Sequence, residues 1–391
     1  MIVAAQAVSH APTLEQAVDT ACADVRKQLG AHTPQVAVFF VTPQHAKQFA
    51  SLGARLQERI GCPSVGCTTL YVMSHSGEGE DEPAFGLLAI AGDIATHAFS
   101  QTEVTANAAT IGRQLGQSFA ELPGAGRMLM LLPDAYVGSL APLVQPLVSC
   151  YGPHPLIGGA PTEAGLGRTF QWGPDGKAHS GAVSGIFFRG DFEVLTAVMQ
   201  GCAPVGPPME VTEAVGPVVM ELDHQPALEV FAARLPGPLR EQLPRAFRTV
   251  LFAVDEGDRR LDGSSRFLAR HIVGLEADRQ GLVFAEPIAQ GTKVRLAIRE
   301  ASAAREDIKR ELVDLSQRLD GRTPAFGFYF NCTNRGSQLY GVKDMDASYI
   351  DGQLGRFPWL GMASNAELAT VHGNTRLFAY TGVLSVVVPK S

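Results

Sequence analysis

An α/β fold assembled from repeated β-α-β-α-β units, with largely parallel central sheets and added hairpins, is what this sequence predicts. Three observations lead there. Short apolar runs typical of buried strands alternate with amphipathic helical patterns along most of the chain. The run Pro-x-[aliphatic]-Gly, followed by small or polar residues, occurs three times, as PSVGCTT (63–69), PLIGGAP (155–161) and PWLGMAS (358–364). The distance from the first strand of a unit to its Pro-x-x-Gly is 61 residues (2 to 63), 61 (94 to 155) and 65 (293 to 358).

Copy one begins with the strand IVAAQAV (2–8). A helix over 13–29 follows, opened by a Thr13…Gln16 capping box. VAVFFV (36–41) is β-branched and aromatic, hence a strand buried on both faces. A second helix spans 45–60, Pro63 opens the third strand, and AFGLLAIAG (84–92) supplies another. Copy two repeats the series with strands at 94–101 and 127–133 and helices at 103–122 and 140–149. The Pro155 strand comes next, then a hairpin whose Pro-Asp-Gly at 174–176 is turn chemistry. Copy three is expected to run from KVRLAI (293–298) through a helix at 305–319 to AFGFYFN (325–331). A helix near 345–354 then leads to Pro358 and the closing strand at 376–388. Within each unit the strands are expected to be parallel with right-handed crossovers. Between copies two and three, residues 195–290 follow a different pattern, with a Pro/Gly-rich stretch at 199–216.

Composition narrows the function classes. At 46% hydrophobic and 18% charged residues, the 391-residue chain has ample material for large buried sheets. A net charge of −7 argues against nucleic acid or an anionic membrane as main partner. The basic stretch 258–271 reads as a solvated loop, as does the acidic EGEDEP (78–83), taken as a hairpin turn. No apolar run approaches the ~18 residues of a spanning helix, and the N-terminus lacks the basic start of a signal peptide. Six scattered cysteines without a CxxC pair suit reduced thiols in a cytoplasm.

Ligands of open parallel sheets sit outside the carboxyl ends of the strands. Candidate positions there are Cys67, Thr68, Thr69, Asp134, Gly159, Thr162, Glu163, Cys332, Arg335 and Asn365. Arg335 offers a bidentate fork for a carboxylate or phosphate, or else a staple for its own loop. Cys332, three residues before that cation, is either a reactive thiol or an inert buried one. Glu367 and Asn365 suit an amine; with Arg335 they would match an α-amino acid, unless Arg335 and Glu367 simply pair. Gly201 and Cys202 lie in a Gly/Pro-rich loop able to line a pocket. The ten histidines are dispersed without a zinc pattern; His154, held between two prolines, is a weak haem-ligand candidate. No metal site is expected, and no G-x-S-x-G elbow occurs.

NCTNRGSQLYG (331–341), then FPWLGMASNAELATVHGN (357–374), resembles the C-terminal half of the FIST sensory domain, with its Cys-x-x-Arg-Gly run after a buried strand. VAVFF, PSVGCTT, PLIGGAPTE and MQGCAPVGPPMEVTEAVG resemble the N-terminal half. Two departures stand out: Ala366 replaces a glycine before Glu367, and Pro161-Thr162-Glu163 stands where Gly-Asp is commoner. The resemblance implies two FIST-like domains, residues 1–220 and 221–391, in a stand-alone cytoplasmic protein. It also implies a sensor of a small ligand, amino-acid-like or otherwise polar, acting on a signalling partner such as a histidine kinase. No cofactor, catalytic residue, nucleic acid or membrane insertion is expected. The alternatives are a haem-containing nitric oxide sensor of the same family and an enzyme with Cys332 as nucleophile.

Overall fold

The computed structural model describes residues 1–122, 124–134, 139–235, 237–259 and 265–390, without the side chains of 248, 256–259 and 265. The chain forms two compact units, Met1–Val198 with Leu315–Ser391, and Met199–Asp314.

The first unit contains copies one and two and most of copy three, whose helix Ala301–Leu319 begins in the second unit and ends in the first. In copy one, strands Ile2–Ser9, Pro34–Val41, Ser64–Thr68 and Phe85–Gly92 alternate with helices Leu14–Leu29 and Phe49–Ile60. In copy two the strands are Ile94–Gln101, Gly126–Pro133, Leu156–Gly159 and Val183–Gly190, and the helices Val104–Ala120 and Ala141–Tyr151. Copy three has strands Phe192–Met199, Phe326–Cys332, Trp359–Ser364 and Gly382–Pro389, with helices Ala301–Leu319 and Met345–Leu354. Each copy builds its own sheet in the same spatial order: first, fourth, second, third strand. The α/β class and the repeat are therefore real, with one correction to strand direction. Only the second and third strands run parallel, and the other neighbours within each set of four are antiparallel. Buried strands read as continuous apolar runs in either direction, so periodicity does not reveal which way they point.

The start of copy three is corrected too. Lys293–Ile298 pairs with Ala203–Val215 and Val250–Arg259 inside the second unit, so it belongs to another sheet. The true first strand is Phe192–Met199, and the second unit is inserted after it. That unit is built on an eight-stranded sheet, whose central order is Ser265–Arg270, Val250–Arg259, Lys293–Ile298, Ala203–Val215 and Val218–Leu222. Residues 260–264 of the basic stretch lie outside the described residues; Val250–Arg259 and Ser265–Arg270 on either side pair antiparallel.

The recurring Pro-x-x-Gly has a packing cause. Gly66 lies opposite Phe39, Gly158 opposite Leu131 and Gly361 opposite Tyr329, the same register on the parallel neighbour each time. The preceding proline carbonyl accepts a backbone hydrogen bond two residues before that point, from Ala37 (3.0 Å), Leu129 (2.9 Å) and Gly327 (3.0 Å). A Cβ on Gly361 would come 2.9 Å from the Tyr329 carbonyl oxygen, and on Gly66 or Gly158 it would press still closer on Phe39 or Leu131. None of the three glycines has positive φ. They supply space for the neighbouring backbone rather than a sharp turn or an approach to ligand.

After the third strand each copy extends a hairpin into another copy's sheet. Val72–Ser74 of copy one pairs with Trp359–Ser364 of copy three. Gln171–Trp172 of copy two pairs with Ser64–Thr68 of copy one, and Glu367–Val371 of copy three with Leu156–Gly159 of copy two. The exchange is cyclic. Helices cover one face of the sheets: Leu14, Val18 and Val25 pack with Phe39, Leu87 and Trp172, while Ile111, Leu115 and Leu147 pack with Leu129, Leu131 and Phe187. The opposite faces are dry as well: the Cys67 thiol lies 3.5 Å from the Met362 thioether, and Phe188 packs against Phe326 and Phe328. Among the described residues no helix is long and apolar enough to cross a membrane.

Replacing Gly158 by alanine should destabilise the protein by about 2–3 kcal/mol, because backbone rather than a movable side chain blocks the new methyl. Gly352, mid-helix with nothing within 4 Å, is the control: Gly352→Ala should stabilise by about 0.5–1 kcal/mol. Urea denaturation midpoints of the two variants read both effects.

Candidate functional site

The strand Phe326–Cys332 ends on alternating side chains, and two of them, Tyr329 and Asn331, carry polar groups into the interior. Just beyond, Gly336 lets the chain turn back at φ +61°, and Ser337–Tyr340 forms one helical turn. Arg335, at the base of this turn, is fully buried and pairs with the equally buried Asp346 of helix Met345–Leu354. The pairing is bidentate: Nε donates to Oδ2 at 3.1 Å and Nη2 to Oδ1 at 3.0 Å. Nη2 also donates to the Tyr340 hydroxyl at 2.6 Å, which in turn donates to Asp346 Oδ1 at 2.6 Å. Tyr329 donates to Asp346 Oδ2 at 2.8 Å, and Asn331 donates to the Tyr71 hydroxyl at 3.5 Å.

The hairpin lent by copy one closes the cluster. Glu78 Oε1 accepts from the backbone N–H of Asp346 (2.9 Å) and Ala347 (3.2 Å), two of the orphan donors at the start of that helix. Asp344 reciprocates by accepting from the Glu78 N–H at 2.6 Å. Glu80 accepts from the Ser337 N–H at 2.8 Å and from its hydroxyl. The reading of 78–83 as solvated therefore needs correction: Glu78 and Glu80 are buried, while Asp81 and Glu82 are exposed. A one-signed charge run gives no hint that two of its members find buried donors in a helix more than 250 residues away.

Burial, reinforced by Asp346, pushes the Glu78 carboxyl up to about 8 against the opposing Ala347 N–H. Burial likewise raises Glu367 to about 8, although the Ser364 hydroxyl (2.7 Å) and the Thr381 hydroxyl (2.8 Å) donate to it. Arg335 forms an ion pair with Asp346, and its charge also acts on Glu367, against the rise that burial causes.

The other sequence candidates fall in several places. Cys332 is buried at the end of its strand, with Asn334 Nδ2 3.9 Å from its sulfur. Asn365 is exposed and donates to the Pro161 carbonyl at 3.2 Å. Thr68 clamps the lent hairpin of copy two, donating to the Thr162 carbonyl and accepting from the Phe170 N–H, both at 3.1 Å. Thr162 is buried, and its hydroxyl has no hydrogen-bond partner. Gly159 is packed against the Phe330 ring. Burial drives the Cys67 thiol well up, away from thiolate chemistry. Gly201 and Cys202 belong to the second unit, where Gly201 N–H donates to Asp307 at 3.1 Å and Cys202 packs with Leu251 and Ala297. The Nε2 of His154 lies 3.4 Å from the Arg127 guanidinium, which with burial lowers its basicity. Sequence reading missed Asp346, Tyr329, Tyr340, Tyr71, Glu78 and Glu80.

The repeats supply an internal control. At the register of Tyr329, Asn331 and Ser364, copy one has Phe39, Val41 and Thr69, and copy two has Leu131, Pro133 and Pro161. At these three positions copy two carries no polar side chain, while Asp134 beside them accepts from the Gly181 N–H at 2.7 Å. Comparing the three copies by register is the signal that would have found the cluster from sequence.

The FIST N domain matches residues 35–225 and the FIST C domain residues 227–370, and the chain belongs to the FIST family. An uncharacterized protein of Mycobacterium tuberculosis is 28% identical over 388 residues, covering 97% of this chain and 98% of that protein. One from Mycobacterium bovis is 26% identical over 389 residues, covering 97% of each. Among solved structures, a cyanuric acid hydrolase from A. caulinodans aligns with 47% of this chain and 70% of its own at 8% identity, with a TM-score of 0.27, too low to carry an argument. FIST domains are sensory signal-transduction domains.

Because the folded state holds the Glu367 proton more tightly than the unfolded chain, its stabilising contribution is complete below about pH 4.5 and drains away as pH rises through about 8. Glu367→Gln removes this dependence. Relative to the variant, the parent should lose up to ~1.4 kcal/mol per pH unit across that window, measured by denaturation at a series of pH values.

Proposed function

We propose that this FIST protein is a cytoplasmic sensor that binds a small polar, amino-acid-like ligand at the buried cluster of copy three. Its output is a conformational change felt by a signalling partner such as a histidine kinase. The observation that carries this reading is the contrast between copies: copy three places Tyr329, Asn331 and Ser364, next to a buried ion pair, where copy two has Leu131, Pro133 and Pro161 at the same register. Buried ion pairs stabilise little compared with apolar packing, so fold stability alone does not account for Arg335 and Asp346.

In this reading Asp346 occupies the guanidinium fork that a ligand carboxylate would take. A ligand that replaces it frees the start of helix Met345–Leu354, to which Glu78 and Asp344 tie the lent hairpin. Two conformers with different affinity for ligand are the minimum for signalling. Glu367, ringed by Ser364 and Thr381, supplies the acid for an amine group. The reading involves no cofactor and no chemical step.

Native mass spectrometry of freshly purified protein, set against its denatured mass, is the test. The expected result is a retained mass of amino-acid size that is lost in Arg335→Lys, which keeps the charge but not the fork. Loss of the bidentate pair should also cost about 3–5 kcal/mol of stability, so the variant is used below its melting temperature. A haem mass would replace this reading with the gas-sensor alternative, and fast stoichiometric labelling of Cys332 by a mild electrophile would favour the enzyme.

A further inference from the structure

Among the described residues the cluster gathers four buried carboxyl groups, on Glu78, Glu80, Asp346 and Glu367, around one buried cation, Arg335. Three of the four are served on both oxygens. Asp346 takes the Arg335 fork and two tyrosine hydroxyls. Glu80 takes the Ser337 N–H and hydroxyl, and Glu367 the hydroxyls of Ser364 and Thr381. Glu78 differs. Its Oε1 accepts from the helix start, but its Oε2 is buried with no hydrogen-bond partner.

Charged and titratable groups face Glu78 from several elements, and the His10 ring lies against its neighbour Gly79. Asp346 and Asp344 come from the helix and its lead-in, Glu80 from its own loop, and Tyr71 from the chain entering the hairpin. Lys343, on the exposed rim, donates to the Glu80 carbonyl at 2.9 Å. Neither a cation nor a hydrogen-bond donor is bonded to Oε2.

We infer that the ligand sensed at this site is a small primary amine, bound as its ammonium ion against Glu78 Oε2. This rests on the buried cluster of copy three being the ligand site, as proposed above, and revises that reading by placing the amine on Glu78 rather than Glu367 and leaving the Arg335–Asp346 pair closed. A guanidinium needs two free carboxylate oxygens for its fork, and Glu78 offers one. An ammonium is a compact charge with three donors and is satisfied by one carboxylate oxygen plus neighbouring oxygens such as the Tyr71 hydroxyl. Among the described residues no three His, Cys, Asp or Glu side chains are grouped to hold a metal ion. A carboxylate on the ligand is not required, because Arg335 is already neutralised by Asp346. At neutral pH Glu78 keeps its proton; when the ammonium arrives, that proton leaves to the buffer and the carboxylate stays with the ligand, so the buried charge balances.

Isothermal titration calorimetry near pH 7, in buffers of low and high ionisation enthalpy, tests this with 1,4-diaminobutane, succinate and L-alanine as probes. The expected result is binding of the diamine with release of about one proton and no binding of succinate. Glu78→Gln, which keeps an acceptor for the helix N–H groups, should weaken the diamine at least about tenfold and abolish the proton release. If that variant fails to melt cooperatively, Tyr71→Phe serves instead and should weaken binding without abolishing proton release. L-alanine binding without the diamine would show that the ligand's carboxylate is required, which overturns this inference while leaving the site intact. No binding by any probe would overturn both, and diamine affinity unchanged in Glu78→Gln would move the amine elsewhere.

Discussion

A strand whose backbone carbonyl presses on a glycine of its parallel neighbour is the contact on which the first unit is founded. It recurs as Phe39 on Gly66, Leu131 on Gly158 and Tyr329 on Gly361. Each time the proline before the glycine accepts the hydrogen bond that sets the register. Once that pair is fixed, the third strand ends at the same height in every copy, and the lent hairpin docks beside it. The N–H two residues after each glycine then bonds to an incoming chain: Thr68 to Phe170, Ala160 to Ala366 and Ala363 to Tyr71. Tight backbone contact in one place thus determines where chains from elsewhere can join.

Much of this was legible in the sequence. The three Pro-x-x-Gly runs and their surroundings identified the copies, and the helices and strands of copies one and two fell where their patterns predicted. Two things were not legible. Strand direction left no trace, because strands covered on both faces lose the alternation that would distinguish an antiparallel edge from a parallel centre. The inserted unit hid the first strand of copy three, and Lys293–Ile298, apolar and at nearly the right distance, took its place.

For the site, the motif residues Arg335 and Glu367 were found, and both are buried among polar partners. Their surroundings were not. Asp346 sits in a helix of otherwise ordinary composition, where an aspartate near the start usually faces water. Glu78 and Glu80 sit in an acidic run of the kind that is normally solvated. What buries them is the hairpin crossing from copy one to copy three, a relation that has no local signature. The polar cluster is therefore a product of topology: its donors and acceptors are close neighbours only after the exchange of hairpins has taken place.

That exchange also bears on how the protein is made. Met73 finds its inter-copy ladder partner in Gly361, so this hairpin waits for its docking strand until the 288 residues after Met73, up to Gly361, have been made. At typical synthesis rates the wait is roughly 15–60 s. During that time Val72–Ser74, paired on one side with Gly77–Glu78, leaves its other edge exposed to mispairing. The acidic residues that follow it, from Glu78 to Glu82, would repel a second copy of the same nascent segment. The carboxylates that later lock the helix of copy three are, before that helix exists, the guard on an unfinished edge.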